Sequence, residues 1–313
     1  MSWRHLFVHP ETGRPRAPWR LLGFGLLLVA ATVGLAVGGS LLAPSLFALD
    51  GGSSVALLLV SAVGTTVAVV VAARYLDRRV LADLGFRVDR QWVADLGFGL
   101  ALGAGLMTAV FLVELTLGWV RVTGTFQPAG AFLPSFLTGV GLFLVVGVYE
   151  ELFARGYLLT NVAEGLVGYV GRLGAVTVAV VLTSAVFGGL HAANPGATAL
   201  SVLSIGLAGV WLAIGYVATG ELAVPIGAHV TWNTFQGLVF GFPVSGIGTG
   251  ATVVAVTQRG PSLWTGGSFG PEAGLLGLGG TLLGIVATLW WVRYTRGAVG
   301  VAEAVTTPDL RDR

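Results

Sequence analysis

Three short stretches of the chain place side chains able to do acid–base chemistry at helical spacing. The first is Glu150-Glu151-x3-Arg155, the second Phe187-x3-His191, and the third His229-x3-Asn233. On a helix Glu151 and Arg155 lie one turn apart with the acid on the N-terminal side, the favourable order for an ion pair. Glu150 sits about 100° around the helix from Glu151 and has no cation at pairing distance along the sequence. It is therefore the spare carboxyl, and in a low-dielectric site such a group suits general acid–base work near neutrality. His229 and Asn233 share one helix face, Phe187 and His191 another. Three helices can thus each turn one polar face towards a common point, with an acid, two imidazoles and an amide between them.

Every one of these residues falls in or beside an apolar run. The 313-residue chain is 55% apolar and only 10% charged, with a mean hydropathy of +0.85. A soluble domain carries about 25% charged residues. The composition therefore predicts an all-α, polytopic membrane protein, because its apolar runs are continuous and do not alternate as in a barrel. Eight spans are expected, at roughly 20–43, 53–74, 92–119, 132–157, 173–192, 197–218, 222–241 and 271–294. Cytoplasmic tails are expected over 1–20 and 296–313, with the bundle over 21–295 and no cleavable leader.

All 17 basic residues are Arg, as in a G+C-rich prokaryotic coding sequence. Their placement is uneven. Arg4, Arg14, Arg16 and Arg20 lie in the first tail. Arg74, Arg78, Arg79, Arg87 and Arg90 lie in or beside the second link, and Arg293, Arg296, Arg311 and Arg313 near the C-terminus. The links on the other side hold only Arg121 and Arg259. The positive-inside rule then predicts a multi-pass cell-membrane protein with both termini cytoplasmic. The link 242–270 reads as an outside loop with a strand-like piece at 251–257. A net charge of +2 argues against nucleic acid as a partner, and the absence of Cys excludes disulfides, thiol nucleophiles and Cys-ligated metals.

Polar residues inside spans usually face the bundle interior and one another. Each has a plain structural reading: Glu151–Arg155 as a neutral pair, either membrane His or Asn233 as an interhelical hydrogen bond. Asp95 and Glu114 are expected near span ends or bonded to neighbours, Trp290 and Trp291 in an interfacial belt, and His5 and His9 solvated. Straight alternating spans would set His191 and His229 about ten residues of rise apart in depth, roughly 15 Å. The classes left open are an enzyme, a transporter or ion pathway, and a non-catalytic immunity or scaffold protein. No half-chain repeat of the kind transporters carry is found.

Taken together, the three stretches resemble the CPBP family of intramembrane endopeptidases (the CAAX-protease, bacteriocin-processing or Abi group), which includes the prenyl-protein Ras-converting enzyme. The resemblance covers roughly 130–242, and "GELAVPIGAH" (220–229) is similar to the run that precedes the last motif in that family. It implies a cavity within the membrane, open to the cytoplasm, in which Glu150 and His191 activate a water. It implies oxyanion donors at His229 and Asn233, with Glu151, Arg155 and Phe187 in support. A peptide or membrane-protein substrate, lipidated in some members, is implied, together with the lipid bilayer as surroundings. No cofactor is favoured; zinc is the alternative, with Glu150, His191 and His229 as its ligands.

Overall fold

Backbone groups inside a lipid phase must find their partners within the chain, so long apolar runs fold as helices. A computed structural model describes residues 6–47, 52–128 and 130–311; Arg4, His5 and Arg313 lie outside them. The helices are α1 (Ala17–Leu42), α2 (Gly52–Val71), α3 (Arg90–Thr116), α4 (Phe132–Glu151), α5 (Thr160–Leu190), α6 (Ala199–Thr219), α7 (Ala223–Asn233), the short α8 (Ser262–Thr265) and α9 (Leu275–Arg296). Two strands, β1 (Val120–Gln127) and β2 (Thr252–Gln258), complete the fold. The protein is an all-α, multi-pass membrane protein with little sheet.

Six helical runs among the described residues are long and apolar enough to cross a membrane: Ala17–Leu42, Val55–Leu76, Arg90–Thr116, Phe132–Ala193, Ala199–Thr219 and Leu275–Arg296. The run Phe132–Ala193 is 62 residues long and kinked, enough for two crossings, so the count of eight is corrected at the seventh span alone. The fourth and fifth expected spans fall in the single run Phe132–Ala193, interrupted at Gly171, whose φ of 70° lies in the region that favours glycine. The seventh, 222–241, forms only α7 followed by a π-helical segment, Thr234–Val239. That is shorter than the ~20 residues of a straight crossing. Gly220 and Gly241, both at positive φ, bound it.

By contact the chain divides into two units, 1–86 with 149–179 and 303–313, and 87–148 with 180–302. In the first, α1 and α2 pair, and Phe24 packs on Phe153 and Tyr157 with ring centroids 6.0 and 4.4 Å apart. The other face of α1 stays apolar and exposed, from Leu22 and Leu26 to Val33 and Leu41, as a lipid-facing surface does.

Arg14 and Arg20 of the first tail and Arg79 of the second link are buried in this unit. Arg14, Arg20 and Arg79 converge on Glu164, at 2.5, 3.1 and 2.7 Å. Arg79 also holds Asp83 at 2.7 Å, Arg20 lies 3.5 Å from Asp77, and Asn161 donates to Asp77 at 3.1 Å. Three cations thus meet three carboxylates. Burial pushes the Asp77 carboxyl above its ordinary value against the pull of Arg20 and Arg79. Both chain ends dock on the 77–83 link: Arg14 donates to the Asp77 carbonyl at 3.0 Å, and the Asp309 amide to the Asp83 carboxylate at 3.1 Å. His9, expected to be solvated, is half-buried here.

The second unit is built on a close crossing of α3 and α7. A Cβ added at Gly227 would lie 2.6 Å from the Leu96 carbonyl, so this contact between backbones needs glycine. Met107, Phe111, Trp211, Trp232, Phe240 and Phe242 form its apolar core. Trp211 donates to Thr288 at 3.0 Å, which ties α6 to α9. The strand expected at 251–257 exists and pairs antiparallel with β1, a partner that the sequence reading did not supply. Asp95 is bonded to its neighbours, as expected: Arg296 at 2.6 Å, Trp291 at 2.8 Å and Gln91 at 2.9 Å. Trp291 is thus part of a polar contact, whereas Trp290 is exposed.

Candidate functional site

The unit boundaries cut α4 after Val148 and α5 after Ala179, so the candidate residues fall into two sets. Glu150, Glu151 and Arg155 belong to the first unit; Phe187, His191, His229 and Asn233 belong to the second.

In the first set, α4 ends at Glu151 and the chain continues as a π-helical segment, Leu152–Leu159. Such widened turns recur at functional positions, because they re-aim side chains relative to a regular helix. Arg155 Nη1 donates to Glu151 Oε1 at 2.8 Å, and both side chains are fully buried. The ion pair expected from the spacing is formed. Glu150 is less buried and accepts from the Tyr149 hydroxyl at 3.2 Å. The expectation that Glu150 lacks a cation is corrected, because the Arg155 guanidinium feels the charge of Glu150 as well as that of Glu151. One arginine serves both carboxylates, with its direct hydrogen bond given to Glu151.

In the second set, Phe187 stands between the two imidazoles. Its ring centroid is 5.1 Å from that of His191 and 6.1 Å from that of His229, the latter edge-on. Both rings thus lie within 6.1 Å of that of Phe187, closer together than the roughly 15 Å of depth expected from straight spans. Two features bring them together. The helix α7 is short, and the end of α5 lies hard against α6, where a Cβ at Gly188 would sit 2.5 Å from the Val202 carbonyl.

His191 opens a 3-10 turn after α5, and its Nδ1 lies 2.8 Å from the Phe187 carbonyl. A carbonyl oxygen only accepts, so Nδ1 carries the hydrogen. In the neutral ring Nε2 then presents a lone pair, the form a base requires. His229 and Asn233 are half-exposed on one face of α7, whose other residues from Ala223 to Ala228, with Val230 and Trp232, are buried. A second π-helical segment begins at Thr234, directly after Asn233.

Sequence reasoning passed over two polar residues that join the second set to its surroundings, Gln236 and Glu272. Gln236 is fully buried and donates to the Pro243 carbonyl at 2.6 Å and to Glu272. A polar residue three positions after Asn233, and a lone acid in the Gly/Pro-rich "GPEAG" just before α9, were the available signals. Glu164, also passed over, lies four turns beyond Glu150. Among the described residues, no three His, Cys, Asp or Glu side chains come close enough together to hold a metal ion.

No curated protein and no solved structure matches the chain significantly. A family model does match, over a third of the chain that contains every candidate side chain. Residues 132–235 match the model described as Rce1-like, type II CAAX prenyl endopeptidase, which bears out the resemblance to the CAAX-protease family carried by the three motifs.

Proposed function

We propose that the protein is an intramembrane endopeptidase of the CAAX-protease type that hydrolyses a peptide bond with an activated water. The observation that carries the reading is the state of His191 beside Phe187: Nδ1–H is committed to a backbone carbonyl, and Nε2 is left as an acceptor. Glu150 and His191 take the proton of the attacking water as its oxygen bonds to the scissile carbonyl carbon. His229 and Asn233 donate hydrogen bonds to the oxyanion that forms. The proton then passes to the leaving amide nitrogen as the C–N bond breaks. Glu151 and Arg155 hold the helix turn that presents Glu150.

The reading needs no metal. Zinc would draw on Glu150, His191 and His229, which are chemically competent donors, and would supply a more acidic bound water. The substrate is a peptide or membrane protein, lipidated in one version of the reading. The bilayer surrounds it, and both termini are cytoplasmic. The Arg excess and the docking of both tails on one link support that common side; a reporter fused at residue 85 should read cytoplasmic.

The test is cleavage by the purified protein of a farnesylated Cys-a-a-X peptide and of unlipidated peptides, followed by mass spectrometry, with and without chelator. Glu150→Gln and His191→Ala should abolish turnover in folded protein. His229→Ala or Asn233→Ala should slow it by roughly 10²–10³, the scale of one lost oxyanion donor. Wild-type rates in Glu150→Gln would overturn the general-base role. Loss of activity on chelation, restored by zinc, would replace the metal-free version.

A further inference from the structure

We propose that Glu272 is a positioning residue that locks the His191 end of α5 to the Asn233 end of α7. Glu272 lies outside the family match, which ends at residue 235. The inference rests on the reading above for its catalytic consequence and on geometry alone for the lock.

The lock is a continuous chain of hydrogen bonds within one unit. Glu272 Oε1 accepts from the Ser245 amide at 2.5 Å, and Oε2 accepts from Gln236 Nε2. The Ser245 carbonyl accepts from Asn194 Nδ2 at 3.1 Å, and Asn194 is three residues past His191. Gln236 is three residues past Asn233, in the π-helical segment that follows it. One carboxylate therefore joins the segment after Asn233, directly through Gln236, to the segment after His191, through Ser245 and Asn194.

Several details show that the carboxylate organises this region. Ser245 has a φ of 49°, a left-handed conformation that a serine adopts only when held. Its amide is given to Glu272 and its carbonyl to Asn194, so both backbone groups of the strained residue are used by the lock. The next residue, Gly246, donates to the Phe269 carbonyl at 2.7 Å. Gln236 cannot turn its amide over. Nε2 already serves the Pro243 carbonyl, which accepts only, so its second hydrogen is the one aimed at Glu272. Glu272 thus meets two N–H donors and needs an acceptor on both oxygens, which a carboxylate supplies and an amide does not.

The groups that face Glu272 are neutral: Ser245, Gln236 and the Gly270 backbone. Burial pushes its carboxyl up to about 7, so the lock is complete, with both oxygens ionised and accepting, on the alkaline side of neutrality.

The experiment combines hydrogen–deuterium exchange with peptide turnover on the purified full chain, comparing wild type, Glu272→Ala and Glu272→Gln. Expected is a tenfold or greater rise in exchange confined to 192–197, 234–239 and 243–247 in Glu272→Ala, with 150–165 unchanged. Glu272→Gln should show a smaller rise in the same segments, and it covers the case in which the alanine variant fails to fold. Turnover should fall ten- to a hundredfold in kcat with KM within twofold. Unchanged exchange in those segments overturns the lock, and so does a rise spread over the whole second unit. Local loosening with unchanged kcat overturns the positioning role. If wild type shows no Glu150-dependent turnover, the protease reading fails, while the exchange pattern still decides the lock.

Discussion

Glu164 and Glu272 are both carboxylates clasped on two oxygens, each inside its own unit, yet their donors differ in kind. Glu164 meets three guanidinium groups, from Arg14, Arg20 and Arg79. Glu272 meets a backbone amide and a glutamine. In the first cluster three positive and three negative side chains cancel, and the elements joined are the N-terminal tail, the 77–83 link and α5. In the second no cation among the described residues offsets the carboxylate, and the elements joined carry the candidate imidazoles and amide. A charge-compensated clasp works as a staple that resists loss. A clasp made of neutral donors orients strongly but leaves the carboxyl sensitive to its own proton.

The largest effect should come from breaking the staple. Arg79 is fully buried and bridges Glu164 and Asp83. Arg79→Ala leaves Asp83 without that partner and Glu164 with two arginines instead of three, so a loss of about 3–5 kcal/mol is expected. Denaturation in detergent measures it. The double change Arg79→Met with Asp83→Leu should recover part of the loss, because fewer lone charges remain. If Arg79→Ala proved no worse than a surface substitution, the contrast between the two clasps would be wrong.

The staple shows where the sequence is legible and where it is not. The Arg excess of the tail and second link was readable as a topological signal, but the same residues also carry a buried network. Composition cannot distinguish a topogenic arginine from a buried one, because both lie beside a span end. Glu151–Arg155 was legible because i,i+4 spacing fixes a contact within one helix. His229 and Asn233 were legible as a shared face for the same reason. The meeting of His191 and His229 at Phe187 was not, since it depends on how short α7 is and how closely α5 meets α6 at Gly188. The π-helical segments after Glu151 and Asn233 left no trace in a uniformly apolar pattern. Glu272 was missed because a single acid in a loop has no period to betray its partners.

A middle-sized effect should separate the two carboxylates of the first motif. Removing Arg155 takes the direct partner from Glu151 and the field of the same cation from Glu150. Arg155→Ala should therefore cost about 3 kcal/mol, the lower end of the range for a broken buried pair. Glu150→Gln removes one charge but keeps the shape, and should change stability by no more than about 1 kcal/mol while activity is lost. Glu151→Gln with Arg155→Met should regain part of what Arg155→Ala loses. Thermal unfolding of these variants beside wild type decides it, and equal damage from Glu150→Gln and Arg155→Ala would make Glu150 a structural partner.

The smallest effect is also the sharpest test of the neutral clasp, because its sign is fixed in advance. Burial raises the Glu272 carboxyl from 4.5 to about 7. Between those values the folded chain keeps a proton that the unfolded chain has released, so stability falls as pH rises. The contribution is fully present below about pH 4.5, drains away up to about pH 7, and changes no further once both states are ionised. A total of about 1–2 kcal/mol is expected, less than its pKa displacement alone implies because the surroundings relax around the ionised group. Asp77, also raised by burial, contributes with the same sign, but it is common to wild type and Glu272→Gln. The difference between the two stability curves therefore isolates Glu272. Wild type should lose its advantage over Glu272→Gln between pH 4.5 and 7, and the difference should be flat above. A difference that grew with pH would mean that the hydrogen bonds from Ser245 and Gln236 outweigh burial, making the neutral clasp as self-sufficient as the charged one. The same pH range would then favour the orienting contacts and the fold together. In the arrangement expected here they oppose each other: the ionised carboxylate that best holds Ser245 and Gln236 is the form in which the fold is less stable. A residue retained on those terms serves the geometry of its neighbours more than the stability of the chain.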